Sequence, residues 1–195
     1  MSLRERRIVI LGAGGHGRGV ADIFTLSGWR VDGFLADAKD GLVAGLPVLG
    51  PLARAFEAGF LDGRAAIVAL GDNGKRALIS RALLDRGVAL ATAIQPSAVV
   101  AGDAVIGAAT MVGAGAILGV GARVGRFCIV NTAASVDHDC VLEEGAFVAP
   151  GVRLCGGVRL GEGAFVGAGA VILPGVTVGA GTRIPAGSVV SGSRF

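Results

Sequence analysis

Residues 164–190 read AFVGAGAVILPGVTVGAGTRIPAGSVV. Aliphatic side chains fall at Val166, Ile172, Val178, Ile184 and Val190, one every six residues. Four residues after each of the first four comes a compact side chain: Ala170, Val176, Thr182 and Ser188. An amphipathic helix needs a period of 3.6 and a half-buried strand a period of two, and a period of six is neither. It is the mark of a parallel β-helix. One aliphatic per hexad points inward, the compact residue lets the chain turn close to the axis, and glycine tolerates the tight corner.

Followed backwards, the period holds without a gap through Leu160, Leu154, Val148, Leu142, Val136, Val130, Val124, Leu118, Val112, Ile106 and Val100 to Ile94. Gly often follows the aliphatic directly, as in VGAGAI and LGVGAR. Sixteen complete hexads therefore span Ile94 to Val190, and 94–195 is expected to be one β-helical domain.

Residues 1–93 have a different rhythm. RIVILG at 7–12 reads as a buried strand, GAGGHGRGVADIFTLSG as a glycine turn opening a helix, and WRVDGFLAD as a second strand. A short extended piece at LPVLG, a helix at PLARAFEAG, a strand at AAIVALG and a helix at NGKRALISRALLDRG follow. Alternating strands and helices with a glycine turn after the first strand predict a small α/β domain, about half of a dinucleotide-binding fold. Such a turn aims backbone N–H groups at an open site and favours phosphate. Asp32, twenty residues past Gly12, raises an NAD reading. A domain of about four strands suits a mononucleotide or nucleotide sugar better, and a purely structural turn is the third reading. His16 within the turn favours a ligand, because helix packing does not require an imidazole there.

Composition narrows the function. The chain is 52% hydrophobic and 17% charged, which excludes a disordered protein. The net charge of +3 suits an anionic ligand, yet no dense Lys/Arg patch with aromatics points to nucleic acid. The apolar run after MSLRERR is too short for a signal peptide, and nothing approaches a transmembrane span, so a cytoplasmic protein without membrane insertion is expected. Cys128, Cys140 and Cys155 lack metal-type spacing and read as free thiols.

Against this apolar background the stretch NTAASVDHDCVLEE, residues 131–144, stands out. His138 lies between Asp137 and Asp139, and Asn131, Asp137 and Glu143 occupy hexad positions usually held by Gly or Ala. A solvated corner is one reading. A general base is the other, since histidine titrates near neutrality and a neighbouring carboxylate fixes its tautomer.

A GAGGHG turn in a small α/β domain, followed by a hexapeptide β-helix containing N-x4-V-x-H-D-C, resembles one family. It is the bacterial hexapeptide-repeat sugar acetyltransferases of the sialic-acid O-acetyltransferase or UDP-4-amino-sugar N-acetyltransferase type, enzymes of glycan biosynthesis. The resemblance covers nearly the whole chain. It implies a left-handed β-helix with three hexads per coil, a homotrimer, acetyl-CoA as cosubstrate in the groove between two β-helices, no metal, and a nucleotide-sugar acceptor held by the N-terminal domain. It implies His138 as general base, Asp139 as the acid orienting it, and Asn131 as the motif's asparagine. Gly14, Gly15, His16, Asp37 and Gly71 would meet the acceptor; Ala168 and Ala186 would meet CoA. Phe147 stands where many members carry a CoA-touching histidine, and Ala36 where the first of two acids is frequent.

With 18 residues per coil, Gly156 falls directly above His138, where its N–H would face a forming oxyanion and its lack of a side chain would admit the thioester. By the same register Cys128 and Cys140, twelve apart, lie on different faces and cannot form a disulfide. The acceptor group is expected to be an amine, with a sugar hydroxyl and a non-enzymatic scaffold as alternatives. A zinc carbonic anhydrase on this fold needs three histidines, and the chain has two.

Overall fold

The structure, a computed structural model, describes residues 6–38 and 40–195. The first five residues of the MSLRERR stretch weighed above against a signal peptide lie outside that range. The chain divides into two compact units at Ala93/Ile94.

The first unit is built on a parallel sheet. Strands β1 (Arg7–Leu11), β2 (Arg30–Leu35) and β5 (Ala65–Val68) lie in the order β2-β1-β5, with a small hairpin of β3 (Leu42–Val43) and β4 (Leu46–Pro47) inserted. Single parallel bridges, Phe34 to Val48 and Ala66 to Leu90, extend the two edges. Helices α1 (Gly15–Leu26) and α2 (Asn73–Leu84) complete the βαβ pattern, and Asp72 caps α2 by accepting the Lys75 N–H at 2.8 Å. Ile8 to Leu11 of β1 are fully buried, as a central parallel strand requires.

The helix expected at PLARAFEAG is instead a single 3₁₀ turn, Leu52–Phe56, entered from Pro51. Five residues ending before Gly59 are too few to propagate an α-helix, whose nucleation is costly.

The second unit is a parallel β-helix of two-residue strands. One face stacks strands beginning at Val99, Ile117, Ser135, Arg153, Val171 and Val189. The next stacks those at Val105, Arg123, Val141, Arg159 and Thr177; the third stacks those at Ala93, Met111, Ile129, Phe147, Phe165 and Arg183. Partners lie eighteen residues apart, as in Ile117 against Ser135 and Ser135 against Arg153. From Met111–Val112 onward the second residue of each strand is buried in the interior, and Leu118, Leu142, Leu154 and Leu160 are at most 1% exposed. Each such side chain contributes roughly 1.5–3 kcal/mol over its exposed state. The compact positions Ala116, Ala122, Cys128, Ala134, Cys140 and Ala146 fill the axis between them. None of Cys128, Cys140 and Cys155 is in a disulfide.

The corners correct one expectation. The glycine directly after the inward aliphatic is not there for the turn. A β-carbon at Gly107 would lie 2.5 Å from the Arg126 nitrogen of the next coil, and one at Gly167 2.5 Å from that of Ala186, so glycine there allows coils to stack closely. The left-handed turn residue comes two positions later, as at Gly157 and Gly175, both with φ of 71°.

Candidate active site

His138 sits at the corner between the first and second faces. It follows strand Ser135–Val136 and precedes Val141–Leu142. Asp137 holds the corner by accepting the His138 backbone N–H at 2.8 Å. Asp139 occupies the left-handed turn position, with φ of 57°, where most coils have glycine. Aspartate tolerates that region better than most residues, and from it the carboxylate reaches His138: Oδ2 lies 3.0 Å from Nδ1. A carboxylate only accepts, so Nδ1 carries the proton and Nε2 is left as the acceptor. The ring is exposed, and its pKa is raised above 6.5, first by the hydrogen bond to Asp139 and then by the charge of Asp137.

Gly156 is stacked over this pair. A β-carbon there would overlap the His138 ring, 2.5 Å from Cε1 and 3.1 Å from Cδ2. One residue on, the Gly157 N–H donates to the His138 carbonyl at 2.9 Å. Below, a β-carbon at Gly121 would lie 2.7 Å from Asp139 Oδ1. Two missing side chains therefore leave the imidazole and its carboxylate the room they occupy.

The remaining residues named for this end divide between two other places on the β-helix. Asn131 lies at the preceding corner, between the third and first faces, where its Oδ1 accepts the Thr132 N–H at 2.8 Å. Ala168 and Ala186 stand at that same corner in later coils, both exposed, and line a cleft of about 310 Å³ with Phe165, Arg183 and Pro185. Phe147 is on the third face, its ring 5.0 Å from that of Phe165, and the Arg183 guanidinium lies 4.2 Å from the Phe165 ring centre. Within one chain the structure brings His138, Asp139 and Gly156 together and groups Asn131, Ala168 and Ala186 at a different corner. Phe165 and Arg183 escaped the sequence reading, although both share with Phe147 a column of eighteen-residue spacing.

On the α/β unit, Gly14, Gly15, His16, Asp37 and Gly71 all line one pocket of about 440 Å³. It opens at the C-terminal ends of the strands, the usual ligand end of a parallel sheet. Gly12 makes the turn after β1 with φ of 118°, and a β-carbon there would lie 2.5 Å from the Ala69 carbonyl oxygen. Gly14 precedes α1 without a side-chain cap, and Gly14, Gly15 and His16 at the start of the helix line the pocket. Asp37 accepts the Leu52 N–H at 2.8 Å through Oδ1.

His16 has a pKa lowered to about 4 by burial and then by the charge of Arg76. It is neutral at pH 7 and serves as a neutral donor or acceptor. Arg76 was not foreseen. On α2 and 1% exposed, it donates to the Leu70 carbonyl at 3.0 Å and to Asn73 Oδ1 at 2.9 Å, tying the loop after β5 to the helix.

Asp32 is not in this pocket. The β1–β2 register skips it, between the pairs Ile8–Val31 and Val9–Gly33, and it sits near the start of β2 among arginines. The NAD reading therefore loses its ribose-binding acid.

A parallel β-helix with a His-Asp pair at an exposed corner, joined to an α/β unit with a glycine-turn pocket, is the architecture of the hexapeptide acyltransferases. Residues 7–83 match the PglD N-terminal domain family, and residues 157–192 match the bacterial transferase hexapeptide (six repeats) family. The acetyltransferase domain of PglB from Neisseria gonorrhoeae FA1090 is 35% identical, with 98% of this chain and 94% of that chain covered at a TM-score of 0.95. The same domain in complex with acetyl coenzyme A gives 35% identity over 97% of this chain and 93% of that chain, at 0.92. PerB from Caulobacter crescentus, in complex with CoA and GDP-perosamine, is 39% identical over 100% of this chain and 93% of that chain, at 0.88. No curated protein sequence matches the chain. The chain belongs to the hexapeptide-repeat sugar acetyltransferases of the sialic-acid O-acetyltransferase and UDP-4-amino-sugar N-acetyltransferase type, with an α/β domain followed by a left-handed β-helix. It is a sugar acetyltransferase. Among the described residues no helix is long and apolar enough to cross a membrane, and no cluster of three metal-ligating side chains occurs.

Proposed function

We propose that this enzyme transfers acetyl from acetyl-CoA to the amino group of a nucleotide-linked amino sugar, by direct attack of the amine on the thioester. The observation that carries this reading is the His138–Asp139 pair at 3.0 Å under the bare α-carbon of Gly156. Acetyl-CoA is the donor. The bond from amine nitrogen to acyl carbon forms as His138 Nε2 removes the amine proton, and the carbon–sulfur bond then breaks. The proton passes from Nε2 to the departing sulfur, giving the amide and CoA thiol and restoring the base. Asp139 fixes the tautomer and stabilises the imidazolium. The Gly156 N–H serves the oxyanion.

The acceptor occupies the pocket of Gly14, Gly15, His16, Asp37 and Gly71, its phosphates at the α1 N-terminus. CoA runs along the corner of Asn131, Ala168 and Ala186, beside Phe147 and Phe165. Because that corner is not the corner of His138, one chain supplies the base and a neighbouring copy the CoA wall, in a homotrimer. Exposed Val99, Ile117, Val105 and Val120, on the first two faces and the His138 corner, suit burial against such a copy. An amine acceptor is favoured by the relative that binds GDP-perosamine with CoA.

Thiol release from acetyl-CoA, measured against nucleotide-linked sugars with free amines or free hydroxyls, tests the proposal. Turnover with an amino sugar that falls roughly 10²–10⁴-fold in His138→Ala supports it. Turnover with hydroxyl acceptors alone, or unchanged turnover in the variant, refutes it.

A further inference from the structure

The end of the α/β sheet opposite the glycine turn carries a second cavity, of about 500 Å³, lined by Arg6, Arg7, Arg64 and Arg86 together with Trp29 and Asp62. Its charge is organised around Asp32, whose side chain is 8% exposed. Arg7 reaches both of its oxygens, Nη2 to Oδ2 at 2.8 Å and Nε to Oδ1 at 3.2 Å. Arg30 Nε lies 3.4 Å from Oδ1 and Arg64 Nε 3.2 Å from Oδ2. One carboxylate thus faces three guanidinium groups. With Arg30 counted beside the four arginines of the lining, five guanidinium groups stand against Asp32 and Asp62, an excess of three positive charges.

These cations are also held in place. Arg6 lies 4.9 Å from the centre of the Trp29 ring, Arg64 5.3 Å from that of Phe60, and Arg86 4.6 Å from that of Phe56. Seating a guanidinium on an aromatic face reduces the rotamer entropy lost on binding and leaves its N–H edges outward. Planar N–H forks match phosphate oxygens two at a time, and a multiply charged phosphate offsets the excess charge. A sheet that needed only to neutralise Asp32 would not require four arginines converging on an open cavity.

We propose that this cavity is an anion-binding site for a phosphate-bearing ligand, separate from the acceptor pocket at the other end of the sheet. The phosphate comes either from a soluble phosphate ester or from a lipid headgroup.

Trp29 is the chain's single tryptophan, so its fluorescence reports this cavity and not the acceptor pocket. Titration of the full chain with sodium pyrophosphate should give a saturable change in emission that weakens as salt is added. Arg86→Glu should weaken that binding about tenfold or more, as expected for a lost charged contact. Arg159→Glu, a reversal of the same size on the β-helix, should leave it unaltered, and Arg86→Glu should keep its acetyl transfer. Arg64→Gln gives a second variant should Arg86→Glu melt early. Vesicles of phosphatidylcholine with phosphatidylglycerol form the lipid arm. Cosedimentation lost in Arg86→Glu assigns a headgroup, and a response to pyrophosphate alone assigns a soluble ester. No saturable change with either probe, or the same affinity in Arg86→Glu and Arg64→Gln, overturns the proposal.

Discussion

Gly156 stands one coil above His138, and the imidazole lies where a β-carbon on Gly156 would be. The backbone at Gly156 does not have the left-handed φ that would itself demand glycine. Alanine is therefore tolerated by the main chain, and the clash falls on an exposed ring that can swing outward. We expect Gly156→Ala to change stability by less than about 1 kcal/mol. Turnover should fall roughly tenfold to a hundredfold, because the ring leaves its aligned position. Paired thermal melts and initial rates check this; a variant with wild-type turnover would show that the ring's placement under Gly156 does not matter.

Asp139 makes the pH dependence of the reaction its own test. Its hydrogen bond is the largest cause of the raised His138 pKa, with the charge of Asp137 next. A base works only when unprotonated, so kcat/KM should fall on the acid side along a limb that lies above pH 6.5 in the wild type. Asn is the clean replacement, since it also tolerates the φ of 57° at this position. Asp139→Asn should move the acid limb to lower pH while lowering the plateau. Asp137→Asn should move it in the same direction by less. An acid limb unmoved in both would mean that the titrating group is not His138.

The hexad series was fully legible because every coil must fill the same axis, so one inward aliphatic recurs at each turn from Val112 to Val190. The reason for its glycines was less so. Clearance from the next coil and a left-handed turn both select glycine, and only coordinates separate Gly107 from Gly157. The glycine-turn pocket could be read in advance because its residues are near one another in the chain or end consecutive strands. Arg76 could not, since its burial depends on how α2 packs. The spacing of Asp32 from Gly12 suggested a ribose contact, but the skipped register turns that residue toward Arg7 and Arg64 at the other end of the sheet. Phe165 and Arg183 were within reach, since a column read at eighteen-residue intervals from Phe147 contains both.

Acid stability follows from His16. Its folded pKa of about 4 lies below the unfolded value of 6.5, so between the two the unfolded chain binds the extra proton. The unprotonated state's contribution is complete above pH 6.5 and is lost as pH falls toward 4, to a limit on the order of 3 kcal/mol. Urea midpoints should drop between pH 7 and pH 5 in the wild type, and less in His16→Gln. Arg76→Met should shrink the dependence too, because its charge is the second cause of the lowered pKa. Equal pH dependence in all three proteins would remove His16 as its source.

The separation of two corners allows complementation between inactive variants. His138 lies between the first and second faces, whereas Ala168 and Ala186 lie between the third and first. If base and CoA wall come from different copies, two inactive variants can repair one another. His138→Ala removes the base and leaves the CoA corner intact. Ala186→Trp fills the cleft beside Phe165 from an exposed position and leaves the base intact. Each should be nearly inactive alone and should assemble normally. Coexpressed in equal amounts in the proposed cyclic homotrimer, they place an intact base against an intact CoA corner at about one interface in four. The mixture should therefore recover about a quarter of wild-type turnover. Recovery near zero, with mixed assembly verified by two affinity tags, would mean that base and CoA wall do not come from different copies.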